Sequence, residues 1–194
     1  MQLKNILIVI ILGVVVSLSP QLKAGEYKLD IEGTHAFIQF KIQHLGYSWI
    51  IGRFNKFDGR FKYDNTDEEA SEISIVIDTA SIDTNHKLRD KHLRDDKFLD
   101  VNKYPQATFI STRYKPTSPG NAILTGDFTF RGVTRSIDIE VHKMGEGKDP
   151  WGGDRVGFEG TTKFTLKDYN IVKKLSPASA EVELYFTLEG IKQK

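Results

Sequence analysis

Alternation of apolar and polar side chains is the feature that most limits how this chain folds. It is clearest near the C-terminus, where Ala180, Val182, Leu184, Phe186 and Leu188 alternate with Glu181, Glu183, Tyr185, Thr187 and Glu189. A period of two puts each set on its own strand face, one dry and one wet. Seven earlier segments repeat the pattern. Ala36, Ile38, Phe40 and Ile42 share a face, as do Phe57, Gly59, Phe61 and Tyr63, and then Ile73, Ile75 and Ile77. Segment 107–114 follows, then Leu124, Gly126, Phe128 and Phe130, then Ile137, Ile139 and Val141, then Val156, Phe158, Gly160, Thr162 and Phe164. One wet face per strand describes antiparallel sheet rather than the two-sided burial of a parallel α/β core. Asp64-Asn65, Ser118-Pro119-Gly120-Asn121, Arg131-Gly132 and Gly145-Glu146-Gly147 read as the turns between strands. Closing such a sheet removes its edges, so the expected fold is all-β, an eight-stranded antiparallel barrel.

The stretch Asn85–Asp100 breaks this rhythm. It is charged, with apolar side chains only at Leu88, Leu93, Phe98 and Leu99. Thr84 or Asn85 is placed to cap a short helix there, and Pro105 limits how far it runs. The first 24 residues also stand apart. Lys4 precedes an apolar run from Ile6 to Val16, and residues 17–23 lead to Ala24, a small residue where a peptidase could cut. That is the layout of a secretory signal peptide, too short to span a bilayer comfortably. The expected organisation is therefore a leader over 1–24 and one barrel domain over 25–194, exported to a bacterial periplasm.

With 27 basic and 26 acidic residues, the chain lacks the basic excess of a nucleic-acid binder. Having no cysteine, it excludes disulfides, cysteine-ligated metals and a thiol nucleophile. No serine lies in Gly-x-Ser-x-Gly, and no His-Glu-x-x-His spacing occurs. No catalytic residue, metal or cofactor is expected.

An eight-stranded barrel either fills its middle with side chains or leaves room for one ligand. Large rings on the inward faces (Phe40, Phe57, Phe61, Phe128, Phe130, Phe158, Phe186) are interleaved with small residues (Ala36, Gly59, Gly126, Gly160, Ala180). The small positions either accommodate the rings opposite or leave volume for an isoprenoid or acyl chain, and periodicity does not choose between them. On the second alternative Ala36, Ile38, Phe40, Phe57, Phe61, Gly126, Phe128, Phe130, Phe158, Gly160, Leu184 and Phe186 would line an apolar cavity. Leucine at Gly126 or Gly160 would then cut ligand uptake more than stability.

Tyr47, Trp49, Arg53, His86, Asp90 and His92 are the candidates for a cavity mouth or a headgroup contact. Among the arginines, Arg53, Arg60, Arg89, Arg94, Arg131 and Arg135 include plausible partners for a carboxylate or diphosphate. A bland alternative is a salt-bridge network of Asp83, Arg89, Asp90, Arg94 and Asp95. His35 and His44 read as structural hydrogen-bonding groups at strand ends.

Several blocks together resemble the YceI family of bacterial polyisoprenoid-binding or lipid-binding periplasmic proteins. They include Tyr27-Lys28-Leu29-Asp30, His44-Leu45-Gly46, Gly52-Arg53-Phe54, Ala80-Ser81-Ile82-Asp83-Thr84 and Arg89-Asp90-Lys91-His92-Leu93-Arg94. Phe98-Leu99-Asp100-Val101, Lys103-Tyr104-Pro105, Leu124-Thr125-Gly126-Asp127-Phe128-Thr129 and Arg131-Gly132-Val133-Thr134 continue the likeness along the chain. The resemblance implies an extended, lipocalin-like barrel with a helical insertion, holding an amphiphilic lipid such as a polyisoprenoid, an isoprenoid quinone precursor or a fatty amide. It also implies links to lipid transport or stress. Two partners are compatible with that reading: a second copy closing the mouth as a homodimer, and a membrane touched transiently for lipid exchange. The competing expectations are an enzyme or accessory factor acting on an isoprenoid or quinone-like substrate through His86, Asp90 or His92, and a ligand-free structural or stress protein.

Overall fold

The computed structural model describes residues 25–172 and 176–194; the expected leader, 1–24, lies outside the described residues. The strands are β1 (Gly25–Leu29), β2 (Ala36–His44), β3 (Ser48–Phe54), β4 (Phe57–Tyr63), β5 (Glu72–Asp78), β6 (Ile82–Asp83), β7 (Gln106–Ser118), β8 (Asn121–Phe130), β9 (Val133–Lys148), β10 (Asp154–Thr165) and β11 (Glu181–Lys192), with a helix α1 (Lys87–Arg94). They close in the order β1-β4-β5-β7-β8-β9-β10-β11 and back to β1. The expected eight-stranded antiparallel barrel is therefore present.

Three of its staves are built in two pieces. β11 pairs with β1 at Gly190–Lys192 and with β2 at Val182–Leu188, so β1 and β2 are two parts of one stave. β4 pairs with β1 and β3 with β2, separated by Asn55 and Lys56. β5 pairs with β4 and the two-residue β6 with β3, separated by the 3-10 turn Thr79–Ser81. These interruptions adjoin one another: the Asn55 amide donates to Ser81 O (3.2 Å) and the Asp78 amide to Lys56 O (3.0 Å). β2, β3 and β6 form the upper end of these staves, and β1, β4 and β5 the lower end.

The first interruption has a clear local cause. The Asp30 carboxylate accepts from the Gly33 amide (2.9 Å) and pairs with His35 Nδ1 (2.9 Å), turning the chain out of the sheet and back. Arg155 Nη1 donates to Asp30 Oδ2 and Glu189 Oε1, and its Nε to Asp149 Oδ2, each at 2.6 Å. His35 thus has the structural role expected of it.

Above Gln106 the fourth stave gives way to the insertion. α1 starts one residue later than the expected caps allow. Its N-cap is His86, whose Nδ1 accepts from the Arg89 amide (3.1 Å). Asn85 is turned left-handed (φ 58°), its amide bonded to Asp83 Oδ1, and the Thr84 hydroxyl is engaged by Asp90 and Arg89. The expected salt-bridge network is mostly replaced by hydrogen bonds to backbone carbonyls. Arg94 donates to Ala80 O (2.7 Å) and Ile82 O (2.6 Å), which ties the helix to the barrel wall. Of these five residues only Asp83 keeps an ion pair among the described residues, with Arg53 at 3.8 Å.

The Gly145-Glu146-Gly147 segment is not a turn. β9 continues through it, pairing Gly145 with Gly157 and Gly147 with Arg155 after a bulge that leaves Met144 without a partner residue. Neither glycine has the positive φ that a tight hairpin turn requires.

The interior is unevenly packed. In the lower half Tyr27, Phe61, Tyr63 and Phe158 lie ring against ring at 5.1–5.7 Å between centroids. A second cluster, Phe128, Phe130, Phe164 and Tyr169, packs at 5.2–5.8 Å toward the upper end. Offset and edge-to-face rings at these separations are favourable beyond their burial alone.

Candidate functional site

Beside the upper aromatic cluster the barrel is open. A cavity of about 470 Å³ lies between the β2–β3 hairpin, α1 and the start of β11. That is within the usual range of small-molecule sites, roughly 300–1,000 Å³. Its inner wall is apolar: Phe40 and Ile42 from β2, Ile50 and Phe54 from β3, Val182 and Leu184 from β11. Phe130 and Phe164 floor it, and Leu93, Phe98 and Leu99 of the insertion roof it. The polar side chains on the lining are Gln43, His44, Thr84, His86, Arg89, His92 and Ser179; Thr84 and Ser179 are buried, and the three histidines are exposed at the rim. Among the described residues no carboxylate borders this cavity.

The hollow does not run the length of the barrel. Below it lies an apolar void of about 40 Å³ between Phe61, Tyr63, Tyr114, Leu124, Phe158 and Phe186. The inward glycines leave no free volume. A Cβ at Gly160 would stand inside the Phe186 ring, and one at Gly126 inside the Phe109 ring and 2.6 Å from Ile110 O. Phe40 covers Gly52 in the same manner. Of the two alternatives for the small positions, accommodation of the facing ring is the one realised.

Five of the expected site residues border the cavity: Phe40, Phe130 and Leu184 on its wall, His86 and His92 at its rim. Ala36 and Ile38 are buried in the core, Phe57 packs against it, and Phe128 belongs to the upper aromatic cluster. Phe61, Phe158 and Phe186 line the small lower void, and Gly126 and Gly160 lie under rings. Of the mouth candidates, Tyr47 is 87 % exposed and makes no part of the wall. Trp49 lies outside with Lys41 Nζ 5.0 Å from its ring centroid, and Arg53 is on the outer face of β3. Asp90 is buried and turned away from the cavity, accepting from the Thr84 amide (2.9 Å) and hydroxyl (2.5 Å). Among the described residues, therefore, no histidine–carboxylate pair converges at the cavity.

The residues missed are mostly those of the insertion and the strand ends. Leu93, Phe98 and Leu99 stood out as the apolar minority of a charged stretch, and their burial over the opening is the reason for that pattern. Ile42 and Val182 continue the Phe40 and Leu184 faces by one step of two. His44 makes no side-chain hydrogen bond among the described residues and borders the cavity, contrary to its expected structural role.

Among the described residues, one histidine–carboxylate cluster has metal-like spacing: ligand atoms of Asp30, His35 and Glu189 lie within 4.8 Å of one another. The Arg155 guanidinium already supplies positive charge there, at 2.6 Å from both carboxylates. His35 and Arg155 hold the Asp30 carboxyl down at about 2. Burial pushes the Tyr114 hydroxyl up to about 12, and burial with the Glu68 hydrogen bond raises that of Tyr63, so both lower-half tyrosines stay protonated.

The model of the YceI-like domain matches residues 27–190. A UPF0312 protein of Ectopseudomonas mendocina is 52 % identical over 192 residues, 99 % of this chain and 100 % of that protein. Among solved structures, BcnA of Burkholderia cenocepacia superposes with a TM-score of 0.75 at 22 % identity, covering 83 % of this chain and 98 % of its own. A polyisoprenoid binding domain from Saccharophagus degradans, implicated in plant cell wall breakdown, gives 0.66 at 17 % identity, covering 86 % and 98 %. These two structural likenesses establish a shared fold.

Proposed function

The chain belongs to the YceI family, and from that premise we propose that it holds the apolar tail of a long-chain amphiphilic lipid in the upper cavity, as a carrier or store with no chemical step. The observation that carries this reading is the cavity itself: about 470 Å³, lined mainly by apolar side chains and closed below by rings. Tail burial of about 400 Å² would contribute on the order of 10 kcal/mol, much of it offset by ordering. The Saccharophagus degradans domain, described as polyisoprenoid binding, supports a tail of that kind. The filled lower half favours a tail, or a stretch of one, no longer than the upper half.

The leader-like segment over 1–24 supports a periplasmic location. Transfer would take place at the upper end, where Leu45, Tyr47, Leu88 and Val172 are 51 %, 87 %, 57 % and 78 % exposed. Exposed Lys87 and Lys91 flank Leu88 on α1, a combination suited to the surface of an anionic bilayer.

The deciding experiment is native mass spectrometry of protein purified from its own periplasm, with extraction and identification of the bound molecule. Leu184→Trp should narrow the cavity. Recovered lipid is expected to fall at least tenfold while stability stays within about 1 kcal/mol of the parent. Undiminished lipid in that variant, or none in the parent, would remove the carrier reading.

A further inference from the structure

Three of the five histidines in the chain, His44, His86 and His92, meet at the rim of one cavity together with Arg89. They come from two elements that face each other across the opening, the β2–β3 hairpin and α1, and no carboxylate among the described residues joins them on the lining. Arg89 is held in place rather than free. Its Nε donates to Thr84 Oγ1 and its Nη2 to Thr84 O, both at 2.7 Å. Thr84 is fixed in turn by the buried Asp90, which accepts from its amide and hydroxyl.

Asp90 is the nearest acidic group in this chain of contacts. It borders a separate outer groove with Asp83 and Arg94, on the other side of the helix. Arg89 itself forms no ion pair, and its Nη1 has no partner among the described residues. A guanidinium with two of its five N–H donors committed to threonine and both Nη1 donors left over, beside an apolar cavity, is a prepared contact for an oxygen anion. The histidines add donors around it, and removal of water by an entering tail strengthens each contact.

We infer that this cavity selects amphiphiles whose headgroup is an oxyanion, a carboxylate or phosphate on an apolar tail, over neutral headgroups on the same tail. The inference rests on the lipid-binding reading above and names the headgroup class it takes. Arg89 is the discriminating residue, and Asp90 and Thr84 are positioning residues.

The test uses the mature protein and displacement of a bound fluorescent alkyl probe by palmitate, hexadecyl phosphate and palmitamide, with inorganic phosphate as a fourth competitor. Palmitate and hexadecyl phosphate are expected to displace the probe at concentrations at least tenfold lower than palmitamide, the lower end of a charge-assisted hydrogen bond. R89Q should abolish the preference while palmitamide still displaces the probe, which shows that the cavity is intact; R89K should retain part of it. Millimolar inorganic phosphate should not displace the probe. Equal displacement by the acid and the amide, a preference surviving in R89Q, or displacement by phosphate alone would overturn the inference and leave lipid binding standing. No displacement by any tailed competitor would overturn both.

Discussion

Arg155→Ala is expected to destabilise the barrel by about 3–5 kcal/mol. Arg155 bridges Asp30, Asp149 and Glu189, and the side chains of Asp30 and Asp149 are only 6 % and 8 % exposed. Removing the guanidinium strands two largely buried carboxylates beside each other. It also loosens the Asp30–His35 turn at which the first stave is interrupted. Urea unfolding at neutral pH measures the loss; a midpoint shift equivalent to less than about 1 kcal/mol would show that the cluster is a solvated surface pair.

The same cluster gives a pH dependence with a definite sign. Asp30 titrates at about 2 in the fold, below its ordinary value of 3.8, because His35 and Arg155 favour the carboxylate. Its contribution, on the order of 2 kcal/mol, is fully present above the unfolded value and is lost as pH falls from about 4 toward 2. Asp149, whose carboxyl Arg155 also holds down, adds in the same direction. Acid unfolding should therefore be steep in that window for the parent and shallower for Arg155→Ala.

Gly160→Leu is expected to cost about 3 kcal/mol or more, because the Phe186 ring occupies the space of the new side chain and Glu140 O lies 3.0 Å from its Cβ. Uptake of lipid should fall only through loss of folded protein, since Gly160 does not border the upper cavity. A double-mutant cycle with Phe186→Ala separates the causes. The alanine alone is expected to cost about 3 kcal/mol, and the pair less than the sum, with a coupling of roughly 1–3 kcal/mol. Additive losses would mean that ring and glycine do not share the space.

The barrel was legible because most strands have one wet face. β3 was not read as a strand because Trp49 and Ile51 on its outer face are as apolar as Ile50 and Phe54 within, which hides the period of two. β1 is five residues long and offers only Tyr27 and Leu29 as an inward pair. The site was harder to read. Whether a ring such as Phe186 borders a cavity or covers Gly160 depends on its χ angles and on register across β10 and β11, neither of which a single strand's pattern contains. Arg89 and Arg53 look alike in the sequence; only the position of α1 over the opening separates one from the other.

The adjoining breaks in the first three staves form a fold line across one flank of the barrel. Above it the walls are short strands and a helix, joined to the lower half by turns; below it they are continuous with a close-packed aromatic plug. On this flank only turns tie β2, β3 and β6 to the base, whereas β8, β10 and β11 run unbroken through both halves, so the flank is the part of the upper bore least coupled to the plug below. Amide hydrogen exchange should divide along the same line, fast in Ser48–Phe54 and slow in Phe57–Tyr63, although the two belong to one stave.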